Sequence, residues 1–524
     1  MRTTLSRPRL ARPTWLWLAP PAVFAVVLVA HDNLAVVVAV VVGGGFVLVV
    51  QRRVEVAASA LLVAVLFNSV GLPVLFRLGV PAPAVQAASL WKEGLVAGCL
   101  VGVVARRSWR RPDAIDVAAL AYVAIGTLYL LVPEAFLGHG PGSSLSLYDR
   151  GLGWRSDVFY VVAFLVFRHL HLDRAVVDRI MRRVLGATVV TGLVGIFEFV
   201  WPSAWNRLAV HVIGVTTYRH LVLHQQPSSQ FNLDSILTYE YLGGHQFLRI
   251  GSLLFDDIVV GFVFAVGLGI AAEIVARGKA PAWVWASLPV LAVALLLTQT
   301  RSAIVAGALA TAFALRHRAG KSLAGRDRLA KVLAAVVVVT LPIAVAAGLL
   351  SRFTSDTGAN TTHASSYRAA VEIMVHQPLG RGLSTAAGGG LLVAQQQDTI
   401  DTTSPAVVTE SQYLQEGTQL GVAGLAAYLA VVVMTTLALS RRRGGDRLAL
   451  APAAMSNVAV GVAVGALTTQ PFVSVEVALL FWCLAGLALG VVDQTAGARP
   501  GPGGRGVPVA GAGPGSTMPA VPAF

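Results

Sequence analysis

From Trp15 onward, long apolar runs alternate with short polar breaks. An α-helix needs roughly 20 apolar residues to cross a bilayer, and about fourteen runs approach that length. They fall at 15–30, 34–50, 54–75, 85–105, 114–133, 156–172, 184–201, 257–277, 281–299, 302–316, 330–350, 417–439, 451–470 and 473–492. The pattern predicts an all-α, polytopic helical bundle.

The polar breaks set the orientation. With residues 1–14 in the cytoplasm and the spans alternating, the inner breaks are "QRR" at 51, "RRSWRRPD" at 106, "RHLHLDRAVVDRIMRR" at 168, "RGK" at 277, "RHRAGKSLAGRDRLAK" at 316 and "RRRGGDR" at 441. All are basic. The outer breaks, among them "HDN", "TQTR" and "TTQP", hold far fewer lysines and arginines. This is the charge bias of cytoplasmic loops, so both termini are expected inside. The Gly/Pro/Ala-rich tail 493–524 reads as a disordered cytoplasmic extension, and the N-terminus as a first span, not a cleaved signal. Two outer loops are long, 202–256 and 351–416, about 55 and 65 residues, and loops of that length are usually functional or disordered. Within the second, "SSYRAAVEIMVHQPLG" carries helical spacing, stopped by Pro378 and Gly380.

Composition agrees. The chain of 524 residues is 56% hydrophobic and 13% charged, which excludes a water-soluble domain of this size. The net charge of +14 sits in short clusters between spans, a topology signal and not a nucleic-acid surface. Two cysteines, Cys99 and Cys483, lie in apolar runs and give neither a disulfide framework nor a metal cluster.

Chemistry is sought on the outer side. In "LLLTQTRSAIVAGALA" a single cation, Arg301, stands between two apolar helices at a tight corner. It reads either as an interfacial arginine snorkelling to headgroups or as an anion-binding group facing a cavity. Arg249, Arg368, Arg381, Arg150 and Arg155 raise the same question, and converging guanidinium groups would suit a diphosphate. Glu410, just before a span, is the candidate base, or else an acid at a helix N-terminus complementing the dipole. Glu416 and Glu372 are weaker candidates, with His363 and His376 on the same loop. Helix capping accounts for His376. Lys92 and Glu93 read first as a buried ion pair to another helix, and Asp256 and Asp257 as a cap and dipole partner or a metal pair.

Three stretches, in order, resemble the O-antigen ligase/polymerase superfamily. "LLLTQTRSAIVAGALA" looks like its Thr-x-Ser/Thr-Arg-Ser/Gly-Ala segment. "YRAAVEIMVHQPLGRGLS" looks like its loop helix leading into a His-Pro-Leu-x-Gly-x-Gly turn. "ESQYLQEGTQLGVAGLAAYL" looks like its His-Asn-x-Tyr-Leu-Gln…Leu-Gly-x-x-Gly-Leu segment, with Glu410 in place of the histidine and Ser411 in place of the asparagine. A looser match at "RIGSLLFDDIVVGFVFAVGLG" extends the likeness over about 240–435, inside a transmembrane glycosyltransferase-like domain 15–492.

The resemblance implies a membrane glycosyltransferase, a polysaccharide polymerase or ligase, on the outer face of a bacterial plasma membrane. It implies transfer of a glycan from a polyprenyl-diphosphate carrier to an acceptor hydroxyl, without nucleotide sugar, metal or other cofactor. Arg301 and Arg368, and more loosely Arg249, match the arginines that hold the diphosphate. Glu410 would activate the acceptor, and Arg381, Tyr413 and Gln415 are further substrate-side candidates, though packing and capping explain Tyr413 and Gln415 equally well. Expected partners are the lipid-linked donor, the acceptor and the bilayer, with no nucleic acid. The alternatives are a lipid-linked oligosaccharide flippase or other transporter, and a scaffold in envelope assembly.

Overall fold

The computed structural model describes residues 50–132 except 51 and 110, then 145–225, 232–242, 245–278, 280–319, 358–386, 410–445 and 450–491. In chain order the helices are α1 (Val54–Ala64), α2 (Asn68–Arg77), α3 (Ala82–Ala88), α4 (Trp91–Ala105), α5 (Ala114–Leu131), α6 (Leu147–Asp157), α7 (Phe159–Arg168) and α8 (Arg174–Val200). Next come α9 (Pro202–Arg207), α10 (Val215–Leu221), a hairpin of β1 (Thr238–Leu242) and β2 (His245–Arg249), then α11 (Asp257–Ala276) and α12 (Ala282–Leu297). The series ends with α13 (Arg301–Ala319), α14 (Gly358–His376), α15 (Gln412–Gly445), α16 (Leu450–Gly465) and α17 (Val475–Gly490).

Among the described residues, six helical stretches are long and apolar enough to cross a membrane, and four shorter apolar helices accompany them. The fourteen expected spans are therefore not all matched. Runs 15–30 and 330–350, nearly all of 34–50, and both chain ends lie outside the described residues. Run 156–172 is corrected: α6 ends at Asp157 and the apolar helix is only Phe159–Arg168. The described residues are mostly helical, as expected of a polytopic helical protein, with one small addition. The first outer loop carries an antiparallel hairpin with Thr238 opposite Arg249 and Tyr239 opposite Leu248. In the sequence there, Thr, Tyr and Phe residues flank a Gly-Gly pair, a strand-and-hairpin signal.

The core forms around α11, buried over nearly its whole length. It packs on α12, α13, α16 and α8, while α7 packs on α17 and α5 on α15. Small residues bring these helices close, as expected where lipid supplies no hydrophobic drive between them. At Gly461 of α16 any Cβ would strike the Ala306 carbonyl of α13.

The helix ends are specified locally. Asp113 caps α5 by accepting from the N–H of Ile115 (2.9 Å) and of Asp116 (3.1 Å), and the Asp116 side chain accepts from the Asp113 N–H. Asp256 caps α11, accepting from the Val259 N–H at 2.9 Å, which settles its role as a cap. The helix expected around Tyr367 ends at His376, whose Nδ1 lies 2.9 Å from the Glu372 carbonyl. The following turn packs against α15 at Gly421, which has φ +67° and ψ −170°. A Cβ at Gly421 would strike the Pro378 carbonyl, so only glycine serves there.

Candidate functional site

The corner Thr298-Gln299-Thr300 links α12 to α13 in three residues. Its own hydroxyls tie it down: Thr298 Oγ1 donates to the Leu295 carbonyl at 2.7 Å, and Thr300 Oγ1 to the Asp257 carbonyl at 3.2 Å. Gln299 Nε2 donates to the Leu248 carbonyl at 3.3 Å, and the Ile250 N–H to the Leu297 carbonyl at 3.3 Å. The corner is thereby fastened to the segment that follows β2. Three non-glycine residues here hold positive φ: Ser252 (50°), Phe255 (54°) and Gln299 (56°). Each such residue costs on the order of 1–3 kcal/mol, and such outliers cluster at functional sites.

Arg301 is the first residue of α13 and half-buried. Among the described residues no carboxylate or carbonyl pairs with its guanidinium. Arg368, on α14, is exposed and likewise unpaired among the described residues.

The turn joining α16 to α17 gathers the remaining pieces. Thr469 Oγ1 donates to Ser302 Oγ at 2.6 Å, next to Arg301. Tyr367 Oη donates to the Leu467 carbonyl at 2.6 Å, next to Arg368. Ser411 Oγ and the Gln412 N–H both donate to the Ala466 carbonyl, at 3.3 and 3.1 Å, next to Glu410. The Glu410 N–H donates to Ser366 Oγ at 3.3 Å, and its Oε2 is buried. So one turn, 466–469, has Arg301, Arg368 and Glu410 each one residue from a group bonded to it or to its Thr469 hydroxyl. Burial pushes the Tyr367 hydroxyl pKa up, which keeps it a donor.

The other candidates sit differently. The guanidinium of Arg249 is already engaged: it pairs with Asp257 and with Glu240 (3.3 Å), and donates to the Thr298 carbonyl (3.2 Å) and Thr300 Oγ1 (3.3 Å). It braces the corner that presents Arg301. Arg381 lies in the turn after α14 and is fastened beside Thr418 of α15. Its N–H donates to the Thr418 carbonyl at 2.8 Å and its Nε to Gln377 Oε1 at 3.1 Å. Burial lowers its pKa from the usual guanidinium value. Tyr413 is half-buried and donates to the Ala463 carbonyl at 2.8 Å. Gln415 is fully buried and its Nε2 donates to Asp157 Oδ1 at 3.0 Å, away from the 466–469 turn.

Arg155 pairs with Glu93, while Lys92 donates to Asn68 Oδ1 at 3.4 Å. The expected ion pair to another helix is thus made by Glu93 with α6. Arg150 donates to the Val132 carbonyl at 2.8 Å. Glu372 lies on α14, and the side chain of His363 is outside the described residues.

Three features escaped the sequence reading. The 466–469 turn looked like a short outer break, since its role rests on backbone carbonyls that carry no sequence signal. Glu198 accepts from the Ser252 N–H at 2.6 Å and anchors the loop behind Arg249. Asp157 and Glu416 share a buried cluster. A lone acid in an apolar run, as in "GIFEFV", was the available signal for Glu198.

Residues 286–429 match the family model described as O-antigen ligase. That segment holds the corner, α13, α14 and the start of α15, and with them Arg301, Arg368 and Glu410. Among curated proteins no match is found.

Proposed function

On the premise that residues 286–429 place this chain in the O-antigen ligase superfamily, we propose that it is a membrane glycosyltransferase acting on a polyprenyl-diphosphate-linked glycan at the outer face of a bacterial plasma membrane. The observation that carries the reading is the gathering around a single turn, 466–469, of one carboxylate and two arginines that are unpaired among the described residues.

The donor diphosphate lies against Arg301 and Arg368. The N-terminal N–H groups of α13 add their partial positive charge. Glu410 takes the proton of the acceptor hydroxyl, whose oxygen attacks the anomeric carbon. The bond from that carbon to the diphosphate oxygen breaks, and the electron pair leaves with the polyprenyl diphosphate. Guanidinium charge in a partly dry site stabilises the leaving anion. Attack opposite the leaving group inverts the anomeric centre. No step needs a metal or other cofactor. Arg249, neutralised by two carboxylates, serves this chemistry by bracing the corner.

The test is gene deletion with surface glycans and lipid-linked intermediates profiled together. Complementation would use wild type, Arg301→Ala and Glu410→Gln. Loss of one polymer and accumulation of a diphosphate-linked glycan outside the membrane, rescued by wild type alone, is the expected result. Intermediates held on the cytoplasmic side would instead identify a flippase.

A further inference from the structure

Below the start of α15 the bundle encloses two carboxylates. Asp157 is 2% exposed and Glu416 1%. Glu416 accepts from Tyr122 Oη (2.7 Å), Tyr160 Oη (3.4 Å) and Gln412 Nε2 (3.0 Å). Asp157 Oδ1 accepts from Gln415 Nε2 (3.0 Å) and Ser156 Oγ (3.1 Å). Tyr122 Oη also lies 3.1 Å from the Asp157 carbonyl, so one hydroxyl touches both residues.

The groups facing this pair are Tyr122 from α5, Ser156 from α6, Tyr160 from α7, and Gln412, Gln415, Gln419 and Tyr428 from α15. Phe472 and Trp482 close the cluster with rings stacked or tilted on Tyr160. Among the described residues no lysine, arginine or histidine faces either carboxylate.

Two uncompensated charges in such a place cost several kcal/mol each. Hydroxyl and amide donors offset part of that for Glu416. A second observation concerns Gln415, which is fully buried and whose Oε1 has no hydrogen-bond partner among the described residues. Its Nε2 is held by Asp157, so a bare carbonyl oxygen stands beside the carboxylate pair. Turning the amide over would set Oε1 against the Asp157 carboxylate, which itself calls for a positive charge between them.

We propose that Asp157, Glu416 and Gln415 form a buried site for one monovalent cation, a proton or an alkali-metal ion. Hard cations take oxygen ligands, and the pair offers carboxylate, amide and backbone carbonyl oxygens. A single charge fits because three donors already occupy the Glu416 carboxylate. The site is independent of the transfer chemistry and is tested without substrate.

The experiment uses the full chain, purified and placed in lipid nanodiscs. Its melting temperature is measured from about pH 6 to about pH 9 in choline chloride, then at the alkaline end with added sodium chloride, because a ligand bound only by the folded state raises stability. A bound proton gives stability that is present at low pH and lost as pH rises. A bound alkali ion gives stability that sodium restores at the alkaline end. The double variant Asp157→Asn, Glu416→Gln is expected to lose the response. A wild type flat to both probes, a double variant with the same response, or stabilisation by calcium alone overturns the proposal. Should the double variant not fold, the wild type decides by itself. Either the infrared carbonyl stretch of a protonated carboxyl or equilibrium binding of radioactive sodium at one ion per chain must be found, and the absence of both overturns it.

Discussion

A cation at the first residue of a helix opposes the helix dipole, a cost on the order of 0.3–1 kcal/mol that an ordinary sequence avoids. Arg301 stands at that position without a partner among the described residues, and under the proposed function the donor diphosphate is the anion that offsets this cost. Arg301→Ala is expected to lower the transfer rate by about 10²–10³-fold, the usual effect of removing one charge-stabilising donor. Arg301→Lys should recover only part of that rate, because an ammonium cannot grip two phosphate oxygens at once. A rate assay with purified protein and an unchanged melting temperature checks both. Glu410→Gln removes the proposed base and should cost about 10²–10⁴-fold with a flattened acid limb in the pH–rate profile. Gln415 behaves oppositely: its substitution should change stability first, because it is buried against Asp157.

At the scale of elements, the 378–382 turn and the kink of α15 define each other. Gly380 (φ +74°) and Gly421 (φ +67°) face one another so closely that neither tolerates a Cβ. Gly421→Leu should cost about 1–3 kcal/mol or more, seen as a lower melting temperature in detergent. The C-terminal end of α7 is held by charge. Arg168 pairs with Asp113 and with Asp116 (2.6 Å), both at the start of α5. Burial by itself would raise the Asp113 carboxyl pKa, but the Arg168 hydrogen bond and charge hold it below the usual value. Arg168→Gln leaves Asp116 buried without its cation, a loss of about 3–5 kcal/mol. Thermal unfolding compared with Asp113→Asn, whose side chain is far more exposed, separates the two contributions.

Across the whole molecule, the loops read as outer in sequence meet at one end of the bundle: the segment before α11, the 298–300 corner, the start of α15 and the 466–469 turn. Cys99 and Cys483 are both buried, so single-cysteine reporters can be read cleanly. A membrane-impermeant maleimide should label Leu467→Cys, an exposed position, in intact cells. It should reach Arg111→Cys, exposed at the other end, only after permeabilisation. The reverse pattern would place the site in the cytoplasm.

The sequence by itself determined the helical, membrane-spanning character of the chain, because apolar run length acts locally along it. It also carried the Arg301 corner and the Pro378–Gly380 stop, where residue type dictates backbone geometry. Only the tertiary structure decided which arginines are ion-paired among the described residues. Arg249 and Arg155 look as free in sequence as Arg301, but Asp257, Glu240 and Glu93 reach them from other elements. It also decided that Gln415 and Glu416 point into the bundle while Glu410 stays at its end. Glu410 precedes the first residue of α15, whereas Gln415 and Glu416 lie in its first turns, where what packs against the helix decides which side chains are buried.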